Sequence, residues 1–406
     1  MLMRLHYRAT LERRASLVVA AALLGVLYAG STLVTPLYPL YQRAFGLADL
    51  TATLIYATYV IGNLGALLFF GGVSDQVGRR RVSLAVLAMA GLSTVLFLCA
   101  VDPVLLFVAR AASGLGIGVG AATATAWIAE LHPSADKAGA SRLAAAVNLA
   151  GLAAGVLISG LLARFAPWPL HTVFVVYLLA LAGMGVWVAH ACETVQRKHE
   201  CALQGASPAA LKPRIAVPRA LWGAFVAPAV TAFATFALLG FYAALLPNLL
   251  ARDLHLGSPA WSGLVVAELF AAGALTVVLA PRFAAHVAMS AGLWLLLPSL
   301  AMLLWAQAAA SLALLVAATV LCGVATALGF RGSLQQANLI APASQRAGLL
   351  AAWLLCCYSG NALPVVCISL FARRIGPLWA NVAFAAFAAV LALAALAVGA
   401  RQRRSR

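Results

Sequence analysis

Charged side chains are scarce in this sequence, and acidic ones are the scarcest. Asp, Glu, Lys and Arg make up 9% of the 406 residues, with 27 basic side chains against 10 acidic ones. A soluble domain carries about 25% charged residues, so this composition excludes a conventional soluble globular protein. The hydrophobic fraction of 64% and the mean hydropathy of +1.00 instead predict an integral membrane protein.

The signatures of several common chemistries are also missing. The seven cysteines are scattered and form no CxxC pair, which argues against a disulfide framework or a zinc site. The sequence has no GxxxxGK[ST] phosphate loop, no HExxH motif and no Ser-His arrangement, so we expect no ATP hydrolysis and no enzyme activity. We expect no metal and no other cofactor. The net charge of +17 does not indicate nucleic acid, because the basic residues lie at the ends of apolar stretches.

The apolar residues fall in stretches that are long enough to cross a bilayer as helices. A hydrocarbon core about 30 Å thick requires about 20 apolar residues per helix. We predict an all-α integral membrane protein with twelve transmembrane helices, at about 16–38, 51–74, 82–101, 104–130, 142–163, 170–191, 220–247, 259–280, 284–305, 309–331, 348–371 and 377–399.

Basic residues are unevenly distributed between the two ends of these helices. With the N-terminus in the cytoplasm, about 21 of the 27 Lys and Arg residues lie on the inner side, which is the positive-inside bias. An even number of spans then places both termini in the cytoplasm. We expect a multi-pass protein of the inner (plasma) membrane, and the compact chain with more Arg than Lys favours a bacterial source.

An internal repeat divides the chain into two halves. A shift of 209 residues superposes HPSADKAGASRL, which starts at His132, on APASQRAGLLAA, which starts at Ala341. The same shift pairs Gly114 with Gly323 and Gly151 with Gly360. The long polar connection between the repeats predicts a six-helix bundle at 1–192, a cytoplasmic linker at 193–219 and a second six-helix bundle at 220–406.

A short polar loop, GGVSDQVGRRR, connects the second and third predicted spans at residues 71–81. It resembles the signature G-x-L-a-D-r-x-G-R-R/K between helices 2 and 3 of the major facilitator superfamily of secondary transporters. Gln76 departs from the pattern, because the family usually has Arg at that position. The residues in register, which form the predicted gating motif, are Gly71, Asp75, Gly78, Arg79 and Arg80.

This resemblance covers essentially the whole chain and implies both a fold and a mechanism. It implies two pseudo-symmetric six-helix bundles that rock about a central cavity and open it to one side of the membrane at a time. It also implies that Asp75 contacts a helix N-terminus in the other half, where the helix dipole stabilises a carboxylate. The alternative for the arginines of this loop is that they only anchor it on the cytoplasmic side.

Arg110 lies about seven residues inside the fourth predicted span. An arginine at that depth costs at least about 2.5–3.5 kcal/mol on insertion scales, so we expect it to face the cavity. Arg110 and Gly114 resemble the superfamily's RxxxG motif, which is associated with proton coupling. The alternative is a structural arginine that binds helix-end carbonyls.

Glu268 is the one carboxylate that the sequence places near the middle of a span. Burial favours the neutral form of a carboxyl, so a lone buried Glu268 could take up and release a proton. We therefore predict a role in proton coupling together with Arg110. Two alternatives stay open, namely a cationic substrate bound at Glu268 and a neutral, hydrogen-bonded structural side chain.

Polar side chains recur at helical spacing in several spans and could line the cavity. These candidates are Tyr28, Thr32, Thr35, Tyr59, Asn63, Asn148, Tyr242 and Asn361. Such residues suit an amphipathic or aromatic substrate, although each alone could be a helix contact. The run from Asn148 through Gly151 and Gly155 also resembles a loose form of the glycine-rich helix 5 motif of antiporters, with Leu152 where that motif has Pro.

These observations predict a secondary active transporter that works by alternating access as a monomer in the lipid bilayer. Proton-coupled export of a small amphipathic compound fits the candidate residues, with that compound and protons as the binding partners and no nucleic acid. One alternative is uptake or facilitated diffusion of a sugar, an organic acid or another metabolite. An alternative of another class is a non-transporting membrane sensor or scaffold with the same fold.

Overall fold

A computed structural model describes residues 11–133, 137–195, 217–280, 283–342 and 345–404. Within these residues every long element is a helix and no strand occurs. Twelve helices are long and apolar enough to cross a membrane. The predicted all-α membrane fold with twelve spans is therefore confirmed.

The first half contains six of these helices. They are α1 (Arg13–Phe45), α2 (Asp49–Phe70), α3 (Arg79–Leu98), α4 (Pro103–Leu131), α5 (Lys137–Phe165) and α6 (Pro169–His190). α1 is interrupted, because a 3-10 turn at Thr35–Leu37 separates an α-helix at Arg13–Thr32 from another at Tyr38–Phe45. Pro36 and Pro39 lack the N–H groups that a continuous helix would use.

The second half repeats this arrangement. Its helices are α7 (Arg219–Ala244), α8 (Pro259–Leu279), α9 (Ala285–Ala308), α10 (Leu312–Ile340), α11 (Arg346–Ile375) and α12 (Pro377–Arg404). A short helix at Leu246–Arg252 follows α7. The first helix of each half thus ends in a break followed by a short helix.

Two helices, α1 and α10, extend furthest beyond their predicted ends. α1 continues to Phe45 rather than ending near 38, because each proline takes one of the first positions of a new helical segment, where no N–H is required. α10 continues to Ile340 rather than ending near 331. Its last residues are polar, so hydropathy falls there although the helix persists.

The hydrophobic core follows the division into halves. One cluster of buried residues, including Trp127 and Phe174, comes almost entirely from α1 to α6. Others, including Phe241 and Phe384, come almost entirely from α7 to α12. We call the end of the bundles that carries the chain termini the terminal side, and the opposite end the distal side.

The sequence repeat corresponds to equivalent helix contacts. Gly114 of α4 packs against the backbone of α2, and Gly323 of α10 packs against the backbone of α8. Gly151 of α5 and Gly360 of α11 pack in the same way against α1 and α7. Residues paired by the repeat therefore make the same contact in each half, as expected for two pseudo-symmetric bundles.

Close packing of glycine between α5 and α1 generates a prediction. A Cβ added at Gly155 would collide with the backbone of Ala29, whereas a Cβ added at Gly183 of α6 would meet no atom within 4 Å. Gly155→Ala should therefore lower the free energy of unfolding by about 1–3 kcal/mol, as overpacking does. Gly183→Ala is the matched control. Equal melting temperatures for the two variants in detergent would contradict this packing.

Candidate functional site

The two halves meet along a polar contact between α2 and α11. The hydroxyl of Tyr56 donates a hydrogen bond to Oδ1 of Asn361 at 2.9 Å. Further along α2, Nδ2 of Asn63 donates to the hydroxyl of Tyr358 at 3.1 Å. These bonds join the halves in the middle of the spans, and we call this contact the polar seam.

The polar seam continues to the distal side. The hydroxyls of Thr53 and Ser369 lie 2.7 Å apart in buried surroundings. At the start of α2, the carboxylate of Asp49 forms an ion pair with Arg252 of the second half at 2.7 Å. Asn248 donates to the same carboxylate at 3.2 Å. The halves are therefore joined at the distal end of this seam.

The opposite edge of the interface is closed at the distal side by backbone contact. Gly160 of α5 lies against Gly263 near the start of α8. A Cβ added at Gly160 would lie 2.7 Å from the Pro259 carbonyl oxygen and 2.9 Å from the Gly263 Cα. Both edges of the interface are thus in contact at the distal side.

Five of the predicted cavity residues lie together at the middle of the interface. They are Tyr28, Tyr59, Asn63, Asn148 and Asn361. Tyr28 lies near Asn148 of α5, and Nδ2 of Asn63 donates to the Tyr59 hydroxyl at 3.4 Å. Tyr358 of the second half lies beside Tyr28 and Tyr59. Tyr28 and Asn148 are only half-buried.

The other three predicted cavity residues lie away from this cluster. The Thr32 hydroxyl donates to the Leu152 carbonyl of α5 at 2.9 Å, and Thr35 is buried in the 3-10 turn of α1. The Tyr242 hydroxyl lies 3.0 Å from that of Thr319 inside the second half. None of these three side chains is part of the cluster at the interface.

A row of aromatic rings in the second half was missed by the sequence reasoning. Ring centroids lie 5.3 Å apart between Trp353 and Phe330, 5.5 Å between Phe330 and Phe236, and 5.9 Å between Phe236 and Tyr358. Tyr358 is also the partner of Asn63 across the polar seam. Aromatic residues in an apolar span carry no signal that separates lipid contact from ligand contact, so only the packing shows this row.

Arg110 does not face the interface, which corrects the expectation from its depth. It is fully buried inside the first half, where Nη2 donates to the Tyr38 hydroxyl at 2.7 Å and Nη1 to the Ser31 carbonyl at 3.1 Å. Its guanidinium lies 5.1 Å from the Tyr59 ring centroid. The break in α1 leaves backbone carbonyl groups without partners in the helix, and a buried arginine can donate to them. These contacts fit the alternative of a structural arginine.

Glu268 was predicted as a buried acid, and the structure instead places it on a partly exposed face of α8. Leu264, one turn before it, is 49% exposed, and Leu275, two turns after it, is 58% exposed. Gly263, which contacts α5, lies on another face. Hydropathy could not reveal this placement, because α8 is apolar around its whole circumference.

The predicted gating motif is held together by ion pairs within the first half. Gly71 follows the end of α2. Arg79 pairs with Asp75 at 2.5 Å and with Glu130 of α4 at 2.6 Å. The side chain of Asp75 is 62% exposed, so its contact with the other half stays a prediction for another conformation.

A carboxylate just after α6 caps the helix that follows this motif. Glu193 accepts hydrogen bonds from the backbone N–H groups of Arg79 at 2.9 Å and Arg80 at 3.1 Å. Gly78 has φ of +106°, and a Cβ there would lie 2.7 Å from the Glu193 carboxylate. Glycine is therefore required at this position by both backbone conformation and space.

Two repeated six-helix bundles that meet along a polar seam, in a chain with twelve helices able to cross a membrane, are typical of a membrane transporter. The sequence model of the Major Facilitator Superfamily matches residues 20–288. The chain belongs to this superfamily, as the motif at 71–81 predicted. That membership points to a transporter rather than an enzyme.

A curated protein and a solved structure illustrate what this chain is similar to. The puromycin resistance protein pur8 of Streptomyces alboniger is 35% identical over 169 residues, which are 41% of this chain and 33% of that protein. The chain thus matches about a third of the length of this relative. The crystal structure of a mutant of the nucleoside transporter NupG has a TM-score of 0.73 at 12% identity, and the match covers 95% of this chain and 100% of that one. This likeness shows the fold alone.

The contacts of Arg110 generate a prediction with a built-in control. The Tyr38 hydroxyl accepts from Arg110, whereas the hydroxyl of the neighbouring buried Tyr41 has no hydrogen-bond partner. Tyr38→Phe should therefore lower the free energy of unfolding by about 1.5–3 kcal/mol, the range for bonds to charged groups. Tyr41→Phe should leave it unchanged or raise it. Thermal unfolding in detergent compares the two, and a greater loss in Tyr41→Phe would refute the assignment.

Proposed function

We propose that this transporter exports small amphipathic aromatic compounds in exchange for protons. The observation that carries the proposal is the cluster at the interface, where Tyr28, Tyr59, Asn63 and Asn148 face Tyr358 of the second half. Tyrosine and asparagine offer flat rings and a few hydrogen-bonding groups in otherwise apolar surroundings. Such sites suit ligands that stack and make a few directed hydrogen bonds.

Export rather than uptake is supported by the relative whose name describes puromycin resistance. The 169 matching residues are a third of that protein, so direction and compound belong to this proposal. The positive-inside bias assigns the terminal side to the cytoplasm. The contacts at the distal side then close the transporter towards the outside, which leaves the cluster to be loaded from the cytoplasm.

Proton coupling is assigned to Glu268. Of the 10 acidic residues, it is the one near the middle of a span, where a charged carboxylate is costly and the neutral carboxyl is favoured. Arg110 acts through its neighbours in this proposal, because its guanidinium lies over the Tyr59 ring and Tyr59 is next to Asn63. In this proposal the gating motif stabilises the other transport state. In that state the terminal side is closed and Asp75 contacts the second half.

Accumulation of ethidium and puromycin in cells tests this proposal. Cells would produce the wild type, Glu268→Gln or the control Asp102→Asn, each with and without a protonophore. Asp102 caps α4 on the distal side through a hydrogen bond from the Leu105 N–H, and Asn is an equally good cap. We expect the wild type and Asp102→Asn to lower accumulation, and Glu268→Gln or the protonophore to restore it to the level of cells without the transporter.

The other outcomes identify the alternatives. Accumulation raised by the wild type would contradict export and indicate uptake. Lower accumulation that persists with the protonophore and in Glu268→Gln would contradict proton coupling. No change in either compound would contradict this substrate class and favour a metabolite transporter or a non-transporting sensor.

A further inference from the structure

The indole N–H of Trp353 is a buried donor without an acceptor. Trp353 of α11 is 1% exposed, and its Nε1 has no hydrogen-bond partner. Buried polar groups are normally paired, and an unpaired donor retains the cost of its lost hydration. Trp353 belongs to a cluster of buried apolar side chains that includes Phe225, Leu349 and Ala337.

This donor stands at one end of the aromatic row. The row passes from Trp353 through Phe330 and Phe236 to Tyr358. Trp353 lies seven residues after Arg346, at the terminal-side end of α11, whereas Tyr358 contacts Asn63 at the polar seam. The row therefore leads from the terminal side to the cluster between the halves.

The three rings beyond Trp353 are only partly buried. Phe236, Phe330 and Tyr358 are half-buried rather than buried, although they come from three different helices, α7, α10 and α11. Half-buried aromatic residues next to an unpaired donor have the composition of a ligand pocket, which is apolar with few directed polar groups.

We propose that this row is the ligand-binding wall of the second half, and that Trp353 Nε1 donates a hydrogen bond to an acceptor atom on a planar aromatic ligand. The rings of Phe236 and Phe330 stack against the ligand, and the indole fixes its orientation. The inference rests on the proposed function, whose substrate class it narrows to aromatic compounds that carry an acceptor. Ligand binding supplies the partner that the buried donor lacks.

Equilibrium binding to the purified full-length protein in detergent tests this inference without any proton gradient. The probes are puromycin, which carries aromatic rings and several acceptor atoms, and ethidium, which is aromatic but offers no comparable acceptor. Titration calorimetry would compare the wild type, Trp353→Phe, Phe330→Leu and the control Trp305→Phe, whose ring is 64% exposed on α9.

Trp353→Phe keeps an aromatic ring and removes the N–H. It should weaken puromycin binding by about five- to tenfold, as the loss of one hydrogen bond does, and leave ethidium binding within about twofold of the wild type. Phe330→Leu should weaken both probes because stacking is common to them. Trp305→Phe should change neither dissociation constant.

Three results would overturn the inference. Unchanged puromycin affinity in Trp353→Phe, together with a higher melting temperature, would show that the N–H is only an unsatisfied packing group. Equal weakening of both probes would show that the ring and not the donor matters. Failure of the wild type to bind either probe would contradict a site for aromatic ligands at this row. Because the measurement uses no gradient, failure of proton-driven export leaves the binding result intact. Export by the wild type with unchanged puromycin affinity in Trp353→Phe would contradict this inference alone.

Discussion

The polar seam between α2 and α11 is the contact that joins the two halves through the middle of their spans. A membrane transporter must pair its buried polar groups and still be able to separate its halves. Here the pairing runs across the interface, from Thr53 with Ser369 to Tyr56 with Asn361. Each neutral hydrogen bond contributes about 0.5–1.5 kcal/mol net. A few such bonds amount to the range that a ligand or a proton can shift between two states.

Contacts inside each half consist of close backbone packing and a buried charge rather than neutral side-chain hydrogen bonds. Glycines bring helix backbones together, as Gly151 does between α5 and α1 and Gly360 between α11 and α7. Arg110 fastens the broken helix α1 to α4 from within the first half. Separation of these contacts would leave a buried charge or an empty gap, which costs more than opening the seam. The structure therefore favours motion between the halves over rearrangement within them.

More of the fold than of the candidate site could be predicted from the sequence. Span length, the basic ends and the glycines of the 209-residue repeat all depend on composition and spacing, which the sequence shows directly. The face on which Arg110 or Glu268 lies depends on neighbouring helices. In a span that is apolar all round, periodicity does not mark the inner face. The aromatic row around Trp353 draws on three helices, so no single segment carries its signal.

Cross-linking of the polar seam tests the central claim most directly. The hydroxyl oxygens of Thr53 and Ser369 lie 2.7 Å apart across the halves, close enough for cysteine sulfurs at these positions to bond after a small adjustment. We predict that oxidised Thr53→Cys/Ser369→Cys protein loses ethidium transport and regains it on reduction, while each single variant stays active under oxidant. Undiminished transport with the cross-link intact would contradict the separation of the halves at the distal side.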